Sequence, residues 1–365
     1  MNRPKRRSCI DQIKPYEPGK PVEEVERELG LKGVLKLASN ENPLGPSPAA
    51  LKALKGILGR LHYYPDGNCY YLKEALARKF GFTPAEVIVG NGTDELLMLL
   101  ALAYINPGDE AVTVYPTFSE YEFALRLMGG VPRPVPLKGK NFDYDPGALA
   151  GAINERTRLV FICSPNNPTG SLISPAQLES FMRDLPPRIL VVLDHAYIEY
   201  VTGSAHPNGL DYIRQGRPLL VLRTFSKIYG LAGLRVGFGL APAGVIADLN
   251  RVREPFNVNT PAQVAAVAAL EDEEHLKRSL AMVEKGRRQL AAGLAMMGLR
   301  AVPGGGNFLF VDTGTDSRKV FEALLQRGII IRSGDIFGFP THIRVTCGTE
   351  EQNESFLKAL AEVLA

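Results

Sequence analysis

Tryptophan is absent from the 365 residues, and cysteine is scarce: Cys9, Cys69, Cys163 and Cys347 stand far apart with no C-x-x-C pair. That scatter argues against a disulfide framework and a zinc knuckle, so reduced thiols are expected. The five histidines, His62, His195, His206, His275 and His342, show no ligand spacing, and no metal site is expected. No stretch approaches the ~18 consecutive apolar residues of a membrane span. The basic cluster Arg3, Lys5, Arg6 and Arg7 leads into polar "SCIDQIK" rather than an apolar h-region. The chain therefore reads as cytoplasmic, with no membrane partner. Charge of one sign is also lacking, because a formal net charge of +3 is too small for a nucleic-acid footprint. No nucleic-acid partner is expected.

What is present is an ordinary globular balance, 45% hydrophobic and 22% charged, in a chain long enough for roughly two domains. From about Glu86 to Leu240, short runs rich in Val, Ile and Leu ("EVIVG", "EAVTVY", "RLVFIC", "ILVVLD", "PLLVLRTF") alternate with helical patterns such as "DELLMLLALAY". That order predicts an α/β fold with a largely parallel sheet covered by helices. The later "NFLFVDT", "GIIIRSG" and "HIRVTCG" predict a smaller α+β unit. The expected division is a large domain over 36–255, with 1–35 and 256–365 forming an N-terminal arm and the small domain.

Ligands of open α/β sheets bind beyond the carboxyl ends of the strands, so the residues after each run matter most. Five such ends are chemically loaded. After "EVIV" comes "GNGTDELL", where glycines lead into a helix whose free N–H groups suit a phosphate, though Thr93-Asp94 serves equally well as a plain helix cap. After "EAVTV" comes Tyr115, and after "RLVFIC" comes "SPNNPTG", which presents Asn167. After "ILVVL" comes Asp194, a carboxylate closing a buried strand, with Tyr197 three positions on. The fifth end is "TFSKIYGLAGLR", which sets Lys227 among hydroxyls and an arginine. Each alone has a bland reading. Together they supply a helix N-terminus, hydroxyls and a cation for a phosphate, a carboxylate for a pyridinium, donors for a phenolate and an amine for an aldehyde.

Pyridoxal 5'-phosphate (PLP) carries all four of those groups. At these residues the chain resembles the fold-type I PLP-dependent aminotransferases, through "SNENPLGPSP", "YYPDGN", "GNGTDE", "CSPNNPTG", "LDHAYIEY", "RTFSKIYGLAGLRVGF", "GGGNFLF", "GIIIRSG" and "IRVTCGT". The resemblance implies a large domain with a mostly parallel seven-stranded sheet sandwiched by helices, plus a smaller α+β domain. It implies that Lys227 forms the Schiff base and moves the substrate's α-proton. It assigns the cofactor phosphate to Thr224, Ser226, Arg235 and the backbone at Gly92, Thr93 and Asp94. Asp194 would pair with the pyridine nitrogen, Asn167 and Tyr197 would face the ring oxygen, and Tyr115 would stack on the ring. A lysine so placed, beside Arg235 in a partly dry cleft, should titrate below its ordinary value of about 10.4.

The substrate expectation also comes from the resemblance, whose closer branch acts on histidinol phosphate with 2-oxoglutarate/glutamate in histidine biosynthesis. Arg344 in "HIRVT" would grip a substrate anion and Arg332 in "IIIRSG" would add a second guanidinium, a pair suited to a phosphate monoester. Tyr16 and Asn42 would help shape that site. Tyr64 in "YYPDGN" would reach the partner's cofactor in a homodimer with shared active sites. His195 follows Asp194 on a strand, points the opposite way and reads as structural. A threonine-phosphate decarboxylase, an aromatic amino-acid aminotransferase and a non-catalytic effector-sensing domain remain open alternatives.

Overall fold

The computed structural model describes residues 4–13, 19–203 and 206–365. Seven strands form the main sheet: β1 (Val87–Gly90), β2 (Glu110–Tyr115), β3 (Val131–Pro136), β4 (Thr157–Cys163), β5 (Leu190–Asp194), β6 (Leu219–Thr224) and β7 (Gly237–Leu240). They lie in the order β1-β7-β6-β5-β4-β2-β3. Only β7 runs against its neighbours; the pairings among β2 to β6 are all parallel. The apolar runs are continuous because both faces are covered. Val191 and Leu193 of β5 enter one core with Val160, Ile162 and Val221, while Leu190 and Val192 enter the other with Leu159, Phe161 and Leu220.

Two strands do not follow the apolar pattern. The edge strand β3 reads "VPRPVP", and its backbone bonds reach β2 at Val131 N to Asp109 O and, just beyond its end, Leu137 N to Tyr115 O. Proline survives there because one side of an edge strand makes no ladder bonds. β7 reads "GFGL", and a Cβ at Gly237 would stand 2.8 Å from the Thr93 nitrogen. Glycine lets this strand pass directly under the N-terminus of helix α1 (Gly92–Tyr104).

A second, antiparallel sheet comprises β8 (Arg300–Ala301), β9 (Phe308–Asp312), β10 (Arg332–Ser333) and β11 (His342–Thr346), in the order β10-β11-β9-β8. Ile343 and Val345 of β11 turn into a core with Leu290, Leu324 and Phe356, contributed by helices Glu273–Met296, Ser317–Gln326 and Glu350–Leu364. By strand alternation Arg344 and Thr346 turn the other way. Residues 35–36 pair in parallel with Ile329 and Ile330, and Leu37 O accepts from Thr346 N at 2.9 Å. The chain from residue 35 thus runs along the second unit before entering the space between the sheets. The large unit's core continues past the expected boundary at 255, since Thr260–Glu271 packs against Pro48–Lys55 and Tyr70–Phe80 and buries Ala262, Ala265, Ala266 and Ala269 there.

Candidate active site

One cleft gathers most of the residues expected from sequence. Thr93, Asp94, Asn167, Asp194, Tyr197, Thr224, Ser226, Lys227, Arg235, Arg332 and Arg344 all line it. It encloses about 860 Å³ counted out to its open mouth.

Its floor is the carboxyl edge of the main sheet. Gly92 opens α1 with φ +79°, and a Cβ there would lie 2.6 Å from an Arg235 guanidinium nitrogen. Glycine at 92 therefore admits Arg235 to the helix N-terminus, where its Nη2 meets Asp94 Oδ2 at 2.8 Å. Next to it, the Ser226 N–H donates to Thr224 Oγ1 at 3.0 Å, and both hydroxyl residues are buried. Free helix N–H groups, two hydroxyls and a guanidinium together make an anion cradle.

Lys227 is partly buried and donates from Nζ to Ser39 O at 3.0 Å. Its amine is lowered to about 8, chiefly by desolvation and then by the Arg344 guanidinium; Arg235, expected from sequence to be the depressing charge, has a smaller effect. Asp194 accepts from the Ala196 N–H at 3.0 Å and from the Tyr121 hydroxyl. Burial pushes its carboxyl above the ordinary range, against those two hydrogen bonds. Asn167 Oδ1 accepts from Arg344 Nη1, while Arg344 Nη2 donates to Ala38 O. Arg332 and Arg344 are direct cross-strand partners, so both side chains leave the same face of the second sheet.

Three expected positions fall elsewhere. Tyr115 does not line the cleft: it is 43% exposed at the end of β2, tilted against Phe339 with its hydroxyl at Gly338, where a Cβ would collide with it. Phe118, one turn of chain further on, lines the cleft instead. Asn42 is also outside, and its side chain is spent on structure. Its Nδ2 donates to Ile228 O and Ser279 Oγ, and its Oδ1 accepts from Leu44 N. Tyr64 is 83% exposed and stacks on Phe256 at 4.9 Å. Tyr16 lies outside the described residues. His195 is buried away from the cleft, as strand alternation requires.

Sequence reasoning missed three residues besides Phe118's role. Tyr121, on the helix Glu120–Leu127, is fully buried and stacked on Phe161 at 4.9 Å, with its hydroxyl on Asp194. Its helical spacing reads as core packing, so no signal distinguished it. Asn40 and Ser39 enter the cleft from the segment after residue 35, and the quoted "SNENP" held both.

Comparison with known proteins agrees with this geometry. The family description "Aminotransferase class I and II" matches residues 32–360. The histidinol-phosphate aminotransferase of Moorella thermoacetica is 59% identical over 99% of this chain and 94% of its own length. A crystal structure of histidinol-phosphate aminotransferase from Sinorhizobium meliloti in complex with pyridoxal-5'-phosphate superposes with a TM-score of 0.89 at 30% identity, covering 98% of this chain and 96% of that one. Aspartate aminotransferase from Thermus thermophilus, solved with maleate, gives a TM-score of 0.84 at 26% identity over 99% and 100% of the two chains. With the half-buried lysine, the buried carboxylate and the anion cradle in one cleft, and with a family match across most of its length, this chain belongs to the class I and II aminotransferases.

Proposed function

We propose that this chain transfers the amino group of L-histidinol phosphate to 2-oxoglutarate, giving imidazole-acetol phosphate and glutamate in histidine biosynthesis, with PLP as cofactor and the cytoplasm as its location. The observation that carries the substrate is the Arg332–Arg344 pair, two guanidiniums on one face of the second sheet and in the same cleft as Lys227. A monoanionic amino-acid carboxylate needs one such group; a phosphate monoester uses forked donors from two. The Moorella and Sinorhizobium relatives carry the same substrate in their names.

The donor set fits the cofactor. Thr224, Ser226, Arg235 and the backbone at Gly92, Thr93 and Asp94 would hold its phosphate, Asp194 its ring nitrogen, and Asn167 and Tyr197 its ring oxygen. We assign the stacking role to Phe118 in place of Tyr115, because Phe118 lines the cleft. When bound, PLP supplies an aldehyde for amine capture and an electron-withdrawing ring. Lys227 supplies the amine, and its depressed pKa of about 8 leaves a useful neutral fraction near neutral pH. With the cofactor and substrate bound, Lys227 Nζ would be the base that takes the proton from the substrate's α-carbon. Asp194, when ionised, would hold a proton on the ring nitrogen.

We also propose a homodimer with shared sites. Tyr64 stands in an exposed run with Leu58, Leu61, Tyr63, Tyr70 and Tyr71, and Phe256 extends it. An apolar face of this kind on a single chain suits a second copy. The test of substrate is a panel of histidinol phosphate, phenylalanine and threonine phosphate as amino donors to 2-oxoglutarate, with released carbon dioxide measured in parallel. Histidinol phosphate should give the highest kcat/KM without carbon dioxide. Preference for phenylalanine, or decarboxylation of threonine phosphate, overturns the assignment.

A further inference from the structure

Asn40 is 1% exposed and has φ +56°, in the left-handed region that asparagine tolerates better than most side chains. It joins three parts of the chain. Its backbone N–H donates to Thr346 Oγ1 at 3.0 Å, and its backbone oxygen accepts from Asn307 Nδ2 at 2.9 Å. Its side chain meets Thr346 Oγ1 at 3.0 Å through Oδ1 and the Tyr197 hydroxyl at 3.0 Å through Nδ2.

These contacts leave little freedom in the direction of each bond. Thr346 Oγ1 already accepts from the Asn40 N–H, so its single hydrogen is the one that goes to Asn40 Oδ1. An amide whose oxygen is claimed in this way must present its NH₂ to Tyr197. The Tyr197 oxygen therefore accepts, and its hydrogen has to point elsewhere. Tyr197 lines the cleft, with its ring held edge-on by Phe308 at 5.1 Å, so rotation of the hydroxyl is the remaining freedom.

We infer that Asn40 is a positioning residue: the Thr346–Asn40 relay sets the Tyr197 hydroxyl as a hydrogen-bond donor into the cleft, aimed at the ring oxygen of the cofactor. The inference rests on the cofactor reading above and adds the reason for the hydroxyl's direction. It also means that the second sheet, through Thr346 of β11, acts on a group of the large unit. A donor at the ring oxygen draws off electron density that otherwise holds the proton on the neighbouring Lys227 nitrogen. Losing that donor raises the pH at which the proton leaves.

The experiment reads the pH midpoint of the visible band of the PLP-loaded protein, together with the Kd for PLP. Thr346→Val removes the hydroxyl that orients the amide without changing charge, and Thr346→Ser keeps it. Asn40→Asp tolerates the same backbone but must accept from Tyr197 rather than donate to it. Thr346→Val and Asn40→Asp should each raise the midpoint by about half a pH unit or more, the size of one neutral hydrogen bond, and weaken PLP binding a few-fold. Thr346→Ser should hold the wild-type midpoint. In a Tyr197→Phe background the effect of Thr346→Val should vanish, whereas a purely structural role would persist there. A midpoint that moves with Tyr197→Phe but not with Thr346→Val or Asn40→Asp overturns the relay and leaves the cofactor reading standing. A midpoint that ignores Tyr197→Phe as well removes Tyr197 from the ring oxygen and overturns both.

Discussion

Tyr121→Phe isolates one hydrogen bond. The Tyr121 ring stacks on Phe161 at 4.9 Å and 15°, and Phe118 meets it edge-on at 5.7 Å. Phenylalanine keeps those contacts, so the packing loss is a single oxygen atom. What disappears is the hydroxyl donor on Asp194 Oδ2, leaving the Ala196 N–H at 3.0 Å on the other oxygen. A hydrogen bond to an ionised group is worth about 1.5–3 kcal/mol. At about 1.4 kcal/mol per pH unit, the Asp194 carboxyl should rise by roughly one to two further units, adding to the rise that burial already causes. Asp194 must be ionised to hold a protonated ring nitrogen, so PLP affinity should fall, by up to about ten- to a hundred-fold, at pH values below the shifted carboxyl. The assay is titration of the apo-protein with PLP, followed by visible absorption across a pH series. The lower pH limit of tight binding should move upward by the same one to two units. Affinity within twofold of wild type, with an unshifted pH profile, would refute the reasoning.

Lys227→Ala should abolish turnover and the visible band while the phosphate cradle still retains some PLP; near wild-type turnover would collapse the site assignment. Arg332→Ala should cost histidinol phosphate about 2–5 kcal/mol in kcat/KM and glutamate much less, whereas Arg344→Ala should harm both; equal losses from Arg332→Ala would end the division of labour. Mixing Tyr64→Phe with Lys227→Ala under subunit exchange should give more activity than the two homodimers together, because one site of each hybrid escapes both lesions. Demonstrated exchange without that gain confines Tyr64 to its own chain. Burial holds the His195 imidazole well below its usual value, so the unfolded chain binds the extra proton. Its contribution is complete above the unfolded value of about 6.5 and is lost as pH falls below it, by up to about 1.4 kcal/mol per pH unit. His195→Leu should therefore flatten the fall of stability between pH 6.5 and 5 in denaturant titrations; an unchanged slope would show that His195 already protonates when folded.

The parts of the fold that were legible in the sequence are those whose burial demanded one residue type. β4, β5 and β6 are buried on both faces and read as unbroken apolar runs. β3 and β7 were invisible to pattern, because proline and glycine score against strand while an edge position and a close helix approach permit them. At the site, residues directly after strand ends were legible because the sheet fixes where they emerge. Tyr115 and Phe118 are two aromatics a few residues apart, and only the turn after β2 decides which one enters the cleft. Asn40 and Asn42 pose the same ambiguity. The positive φ at Asn40 breaks the alternation that would otherwise relate them, and Asn42 goes to Ile228 and Ser279. Tyr121 sits on a helix, where an aromatic residue facing the core carries no mark of the carboxylate it touches.

The prolines of β3 have a consequence for the protein in a crowded solution. Val131 and Leu137 turn their N–H groups inward to β2, so by alternation the outward-facing nitrogens are those of Pro132, Pro134 and Pro136. None of the three carries a hydrogen. The outer margin of a seven-stranded sheet would otherwise offer a row of donors on which a strand from another molecule could lengthen the sheet. Here that margin offers carbonyls without donors, and growth of the sheet from chain to chain stops at this edge.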